Sequence, residues 1–250
     1  MKKIIVWDLP IRLFHLIFAG SLTASLAIGF LVDDDSSLFQ FHMLFGLVAA
    51  ASLVLRLILG LFGSRHNRFT ALPLSRIEAV RYFTGVITGS ARRFIGHNPG
   101  TAIAALVMFA LVPLLIASGI GWLDVDLHEG LAIALLVVVG AHLAGIIWHT
   151  VRHREPIALS MVTGRKDGPE GEGLKSSHPA WATAMFAASV AWIAALFANH
   201  DAKAATVKLP VIGSVLHLGE NKGDEDSERG EGREHGERGK SRKSGKRDDD

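Results

Sequence analysis

Twelve histidines and no cysteine occur in a chain of 250 residues, so a metal centre here must rest on imidazole, carboxylate or methionine. The same absence excludes disulfides, iron–sulfur clusters, thiolate nucleophiles and a CxxCH haem attachment. Four histidines, His15, His42, His128 and His142, lie within or at the edge of long apolar runs, where an imidazole is costly unless it meets a partner. His142 follows His128 by 14 residues, about four helical turns or roughly 21 Å, so the two share a helix face at two depths. With the helix of His15 running opposite to those of His42 and His128, depth pairs His15 with His142 and His42 with His128. Two ligands from different helices at one level, repeated at a second, is what two stacked b-type haems require, and a four-helix bundle suits them. Zinc asks for about four ligands converging on one point. Only the His42–His128 level has acids nearby, Asp124, Asp126 and Glu129, so haem is favoured.

Other residues attach to this frame. His149 and His153 compete with His142 for the inner ligand role, but lie closer to the membrane surface. Arg56 follows His42 by 14 residues on the same face, which sets it at the His15–His142 level, where a haem propionate is a natural partner. Arg12, three residues before His15, offers the same; the other reading for both is snorkelling to lipid headgroups. Gly29 and Gly46 leave room either for a flat porphyrin or for close helix packing. His66, His97, His178, His200, His217 and His235 fall in loops or the tail and are expected to leave haem untouched.

The elements that must position these groups are membrane spans. A mean hydropathy of +0.32 is too high for an ordinary water-soluble domain of this size. Five runs are long enough to cross a bilayer: 13–32, 39–62, 101–123 with Pro113 as a tolerated kink, 127–151, and 180–198. Basic residues gather at the N-terminus (Lys2, Lys3), in 63–100 and after the fourth span, while Asp33, Asp34, Asp35, Asp124 and Asp126 occupy the other side. The N-terminus is therefore expected in the cytoplasm and the C-terminal tail in the periplasm. The first apolar run exceeds an ordinary signal-peptide core and is expected to remain uncleaved. Residues 77–95 mix apolar side chains with arginine, as does a segment lying on the inner membrane surface. Residues 199–250 carry 11 basic and 12 acidic residues and are expected to be disordered. The pI of 9.0 arises from loop and mixed-charge residues and points to no nucleic-acid partner.

The stretches VWDLPIRLFH (6–15), FHMLFGLVAAASLVLRLILGLFGSRHNRF (41–69), GHNPGTA (96–102), HEGLAIALLVVVGAHLAG (128–145) and MVTGRK (161–166) resemble the bacterial cytochrome b561 family, which includes the cytochrome b subunits of nickel–iron hydrogenases. The resemblance implies a four-helix membrane core with two bis-histidine haems b on His15, His42, His128 and His142, exchanging electrons with the quinone pool. The expected fold is an all-α membrane protein. It has a dihaem transmembrane domain (1–167), a cytoplasmic linker (168–179), a fifth transmembrane helix (180–198) and a disordered charged periplasmic tail (199–250). The expected function is electron transfer in the bacterial inner membrane between quinone or quinol and a periplasmic redox protein such as a cytochrome c or a hydrogenase. Two alternatives stand beside it: oxidation of a small reductant or superoxide at the outer haem, and transport of haem or metal. No acid–base pair or nucleophile stands out, so whether the chain is an enzyme stays open.

Overall fold

The computed structural model describes residues 2–218. In chain order the elements are β1 (Lys2–Ile5), α1 (Leu9–Leu31), α2 (Gln40–Phe62), α3 (Arg76–Thr88), α4 (Pro99–Gly119), α5 (Asp126–His153), α6 (Ile157–Thr163), β2 (Arg165–Gly168), α7 (Pro179–Ala198), β3 (His200–Asp201), β4 (Thr206–Lys208) and β5 (Val215–His217). Five of them, α1, α2, α4, α5 and α7, are long and apolar enough to cross a membrane. The chain is a multi-pass membrane protein. α1 packs along α2 and α4 along α5, α2 joins the two pairs, and α7 lies against α1 and α2.

Local chemistry explains where these helices begin. Asp8 caps α1 by accepting from the Ile11 amide at 3.2 Å, and Pro10 presets the first turn. Asn98 and Thr101 form a reciprocal capping box at the start of α4, with Pro99 in the first turn. α3 leaves Ile77, Val80, Phe83 and Ile87 exposed as one apolar stripe, while Tyr82 and Gly85 are buried. That two-sidedness suits a helix lying at a membrane surface.

Both ends of the bundle carry small sheets that periodicity alone does not announce. At the N-terminal end β1 pairs antiparallel with β2, Lys2 opposite Gly168 and Ile5 opposite Arg165. Gly164 makes this possible: its φ of +77° belongs to the left-handed region, and a Cβ there would stand 2.6 Å from the Trp7 carbonyl oxygen. The Val6 and Trp7 amides donate to the Gly164 carbonyl at 2.8 and 3.1 Å. Residues of the 168–179 linker are part of this cap. The Leu174 amide donates to Ile5 at 2.8 Å, the Leu9 amide to Ser177 at 2.9 Å, and His178 Nδ1 lies 3.3 Å from Asp8 Oδ2.

At the opposite end the expectation of disorder from residue 199 onward is corrected for 199–218. β3, β4 and β5 form an antiparallel sheet whose Val207, with Leu218 just beyond it, is buried against Leu44, Leu47, Val48 and Leu196. Charge counted over the whole tail hid this, because the apolar residues of 206–218 precede the charged repeat. The charged stretch 219–250 lies outside the described residues.

Candidate functional site

At the end where α1 turns into α2, the packing is built around two imidazoles. A Cβ on Gly29 would meet His42 Nδ1 at 2.9 Å, and one on Gly119 would meet His128 Cε1 at 3.3 Å, so both glycines yield their side-chain space to a histidine ring. Gly46 instead faces Ser25 across the α1–α2 contact. His42 Nδ1 lies 2.8 Å from the Ser25 carbonyl oxygen and 3.3 Å from Ser25 Oγ. A carbonyl only accepts, so the proton sits on Nδ1 and the Nε2 lone pair is free. His128 Nδ1 is held in the same way by Ser118 Oγ at 3.0 Å. The two rings approach with centroids 5.9 Å apart, and Phe39 stacks on His42 at 5.4 Å.

The second level is more open and more charged. His15 and His142 are near enough for their charges to interact, His15 is exposed, and the buried Nδ1 of His142 makes no hydrogen bond. Arg56 is only 3% exposed; its guanidinium carbon lies 6.0, 4.9 and 5.6 Å from the ring centres of Phe14, Phe69 and Phe109. Phe69 reaches this position because Gly60 has no side chain to obstruct it. The rings supply cation–π attraction. Nη1 nevertheless has no hydrogen-bond partner among the described residues, which is costly for a buried cation and leaves a place for an anion.

Arg12 is differently engaged. Its Nε donates to the Met161 carbonyl at 3.3 Å and its Nη2 to that of Val162, so it ties α1 to the last turn of α6.

Two residues at this level, His97 and Glu155, had no part in the site read from the sequence, and His149, expected as a surface-near competitor of His142, is buried. His97 packs edge-on against Trp7 at 4.8 Å. Burial pushes its pKa down to about 3, helped by the positive charge of Arg56, so it is neutral at physiological pH. The clue lay in Asn98-Pro99: a cap and first-turn residue anchors the preceding loop to the start of α4. Glu155 is buried between Arg93, with Nε at 2.7 Å, and Lys166, with Nζ at 3.6 Å. His149 is buried beside it, the only residue of α5 besides Leu135 that is.

The sequence model of the prokaryotic cytochrome b561 family matches residues 6–164. The chain belongs to that family. No curated protein and no solved structure matches it. Membership makes it a haem b-binding membrane protein of electron transport. The residues present fit the cofactor of a cytochrome b561. His42 and His128 bring their ring centres to 5.9 Å from two different helices, and this is the pair that would hold a haem iron. A hydrogen bond at Nδ1 that frees Nε2 is the usual outer support of a metal-bound histidine. The orphaned Nη1 of Arg56 suits a propionate.

Proposed function

We propose that this cytochrome b561 moves single electrons across the bacterial inner membrane between the quinone pool and a periplasmic redox protein, through two haems b. One haem is held by His42 and His128, the other by His15 and His142, with Arg56 pairing a propionate of the second. The His42–His128 pair carries the reading: two helices present facing imidazoles whose Nδ1 atoms are already hydrogen-bonded, leaving both Nε2 atoms for one iron. Haem b supplies a one-electron iron couple. With one histidine pair holding each iron, haem b would serve electron relay and not oxygen activation. The protein's part is to hold the rings, exclude water and set the charge around each site.

The levels are roughly 21 Å apart along α5, from the 14-residue spacing of His128 and His142. Lys2, Lys3, Arg65, Arg93, Arg152, Arg165 and Lys166 gather at the N-terminal end, which supports a cytoplasmic N-terminus and a periplasmic His42–His128 level. Arg12 serves as a scaffold residue in this reading, because two of its donors are engaged by the α6 carbonyls.

Haem content of the purified full chain tests the proposal. Two low-spin haems per chain are expected, with one lost in His42→Ala or His128→Ala and the other in His15→Ala or His142→Ala. Two haems retained in all four variants would refute the ligand set.

A further inference from the structure

Beyond the haem ligands, the largest collection of buried titratable groups lies where α5 ends beneath the loop leading to α4. His149 is 1% exposed, and among the described residues neither of its ring nitrogens has a hydrogen-bond partner. Its Nε2 stands 3.5 Å from Glu155 Oε2, and the ring of His153 lies against it with centroids 4.5 Å apart. His153 Nε2 and Glu155 Oε1 are likewise buried without a hydrogen bond. Four such atoms in one cluster form an arrangement that structural packing does not require. Buried polar groups are nearly always satisfied, and exceptions gather where a proton, a water or a ligand is exchanged.

The surroundings define the cluster's charge. The loop before α4 brings Arg93 onto Glu155 at 2.7 Å, and β2 brings Lys166 to 3.6 Å. Asp167 pairs with Lys3 of β1 at 3.1 Å, and Arg152 donates to the Gly89 carbonyl. His97 lies on the far side, within reach of Lys166. Burial opposes a charge on Glu155, but the Arg93 hydrogen bond and the positive charge of Lys166 outweigh it and hold its pKa below the usual carboxylate value. A buried, ionised carboxylate thus stands next to a buried imidazole with unused nitrogens. His149 lies seven residues, two turns or about 10 Å, beyond His142.

We propose that His149, poised by Glu155, is a proton-binding site coupled to reduction of the haem held by His15 and His142, and this rests on the ligand assignment above. One electron reaches that haem from the protein's redox partner, and one proton from solvent binds a ring nitrogen of His149. The electron's negative charge is balanced, and reoxidation returns the proton. Arg93, only partly buried, and His153 mark the side from which the proton enters. Coulomb attraction between one electron and one proton about 10 Å apart, at an effective dielectric of about 20, raises proton affinity about tenfold. Glu155 and His153 position and supply His149. A group that takes up a proton when the haem is reduced is also suited to quinone chemistry, in which electrons and protons travel together.

The test is a redox titration of the intact, haem-loaded chain between pH 5.5 and 8.5, following both haems by their absorption. The haem absent from His15→Ala is expected to show a potential that falls with rising pH by about 59 mV in all, because a tenfold change in proton affinity on reduction is linked to an equal tenfold change in electron affinity. The other haem should be pH-independent. His149→Gln should abolish the slope, whereas Glu155→Gln should move it to lower pH, because a neutral neighbour no longer favours the imidazolium. Proton uptake on reduction of the unsubstituted chain, read with a pH indicator, gives the same answer without a variant. The proposal is overturned if the unsubstituted chain shows neither slope nor uptake. It is equally overturned if the slope survives unchanged in both variants, or vanishes only in His97→Gln. Should His15→Ala keep both haems, the ligand assignment has failed instead, and the loss of slope in His149→Gln is then read on whichever haem carries it.

Discussion

The two ends of the bundle solve the problem of a buried histidine differently. At the α1–α2 turn, His42 and His128 are each tethered through Nδ1, by Ser25 and by Ser118, and glycines make room for their rings. No ion pair among the described residues involves either ring. At the N-terminal end His15 is exposed and His142 has an untethered Nδ1. Around them stand a buried arginine, a neutral half-buried histidine and the Glu155 cluster. Hydrogen bonds to serine and backbone fix ring orientation without adding net charge. Charged neighbours in a poorly solvated setting instead tune electron and proton affinity, since their fields are weakly screened there. One end is thus organised for geometry, and the other for electrostatics.

The strongest challenge to this contrast is removal of a ligand. His128→Ala should halve the haem content and leave the remaining haem with the spectrum of the N-terminal level, while His142→Ala should leave the other. Next comes the tether. Ser118→Ala removes the hydrogen bond between Ser118 Oγ and His128 Nδ1 and should weaken haem retention at that level by about 10- to 100-fold in a competition with apomyoglobin. Ser25→Ala should do less, because the Ser25 carbonyl still accepts from His42.

Arg56→Leu addresses the electrostatic end. Loss of a buried positive charge at the His15–His142 level should lower the electron affinity of the haem held there, seen as a fall in one midpoint potential only. Equal shifts at both haems would remove the distinction between the ends.

The smallest effect concerns pH and stability. The folded-state pKa of His97 lies near 3, below its ordinary value, so the unfolded chain binds more protons between about pH 3 and 6.5. Stability should therefore fall as pH drops through that window and be unaffected above it. Glu155, whose pKa is also lowered, adds a loss only where carboxylates protonate, below about pH 4.5. Thermal unfolding of His97→Phe in detergent should show a weaker pH dependence from 6.5 to 5 than the parent, with no change at the His42–His128 haem.

Much of this was readable along the chain, for a definite reason. An apolar run of about 20 residues admits few structures other than a spanning helix, so the five spans and their alternating directions followed from composition. Depth then followed from residue spacing: 14 residues separate His128 from His142 and His42 from Arg56, and a helix converts that count into one face and one distance. Contacts between segments distant in sequence had no such rule. His149 is buried beside Glu155, and Glu155 is in turn held by Arg93 and Lys166 from two other segments. Arg12 serves α6 because residues 149 and 150 positions away along the chain return to it, and Val207 and Leu218 are ordered because α2 and α7 offer an apolar seat. Periodicity specifies what one helix presents. Which charge meets which, and which orphaned nitrogen is left for a proton, depends on loops whose closure is a long-range event, and only the tertiary structure decides it.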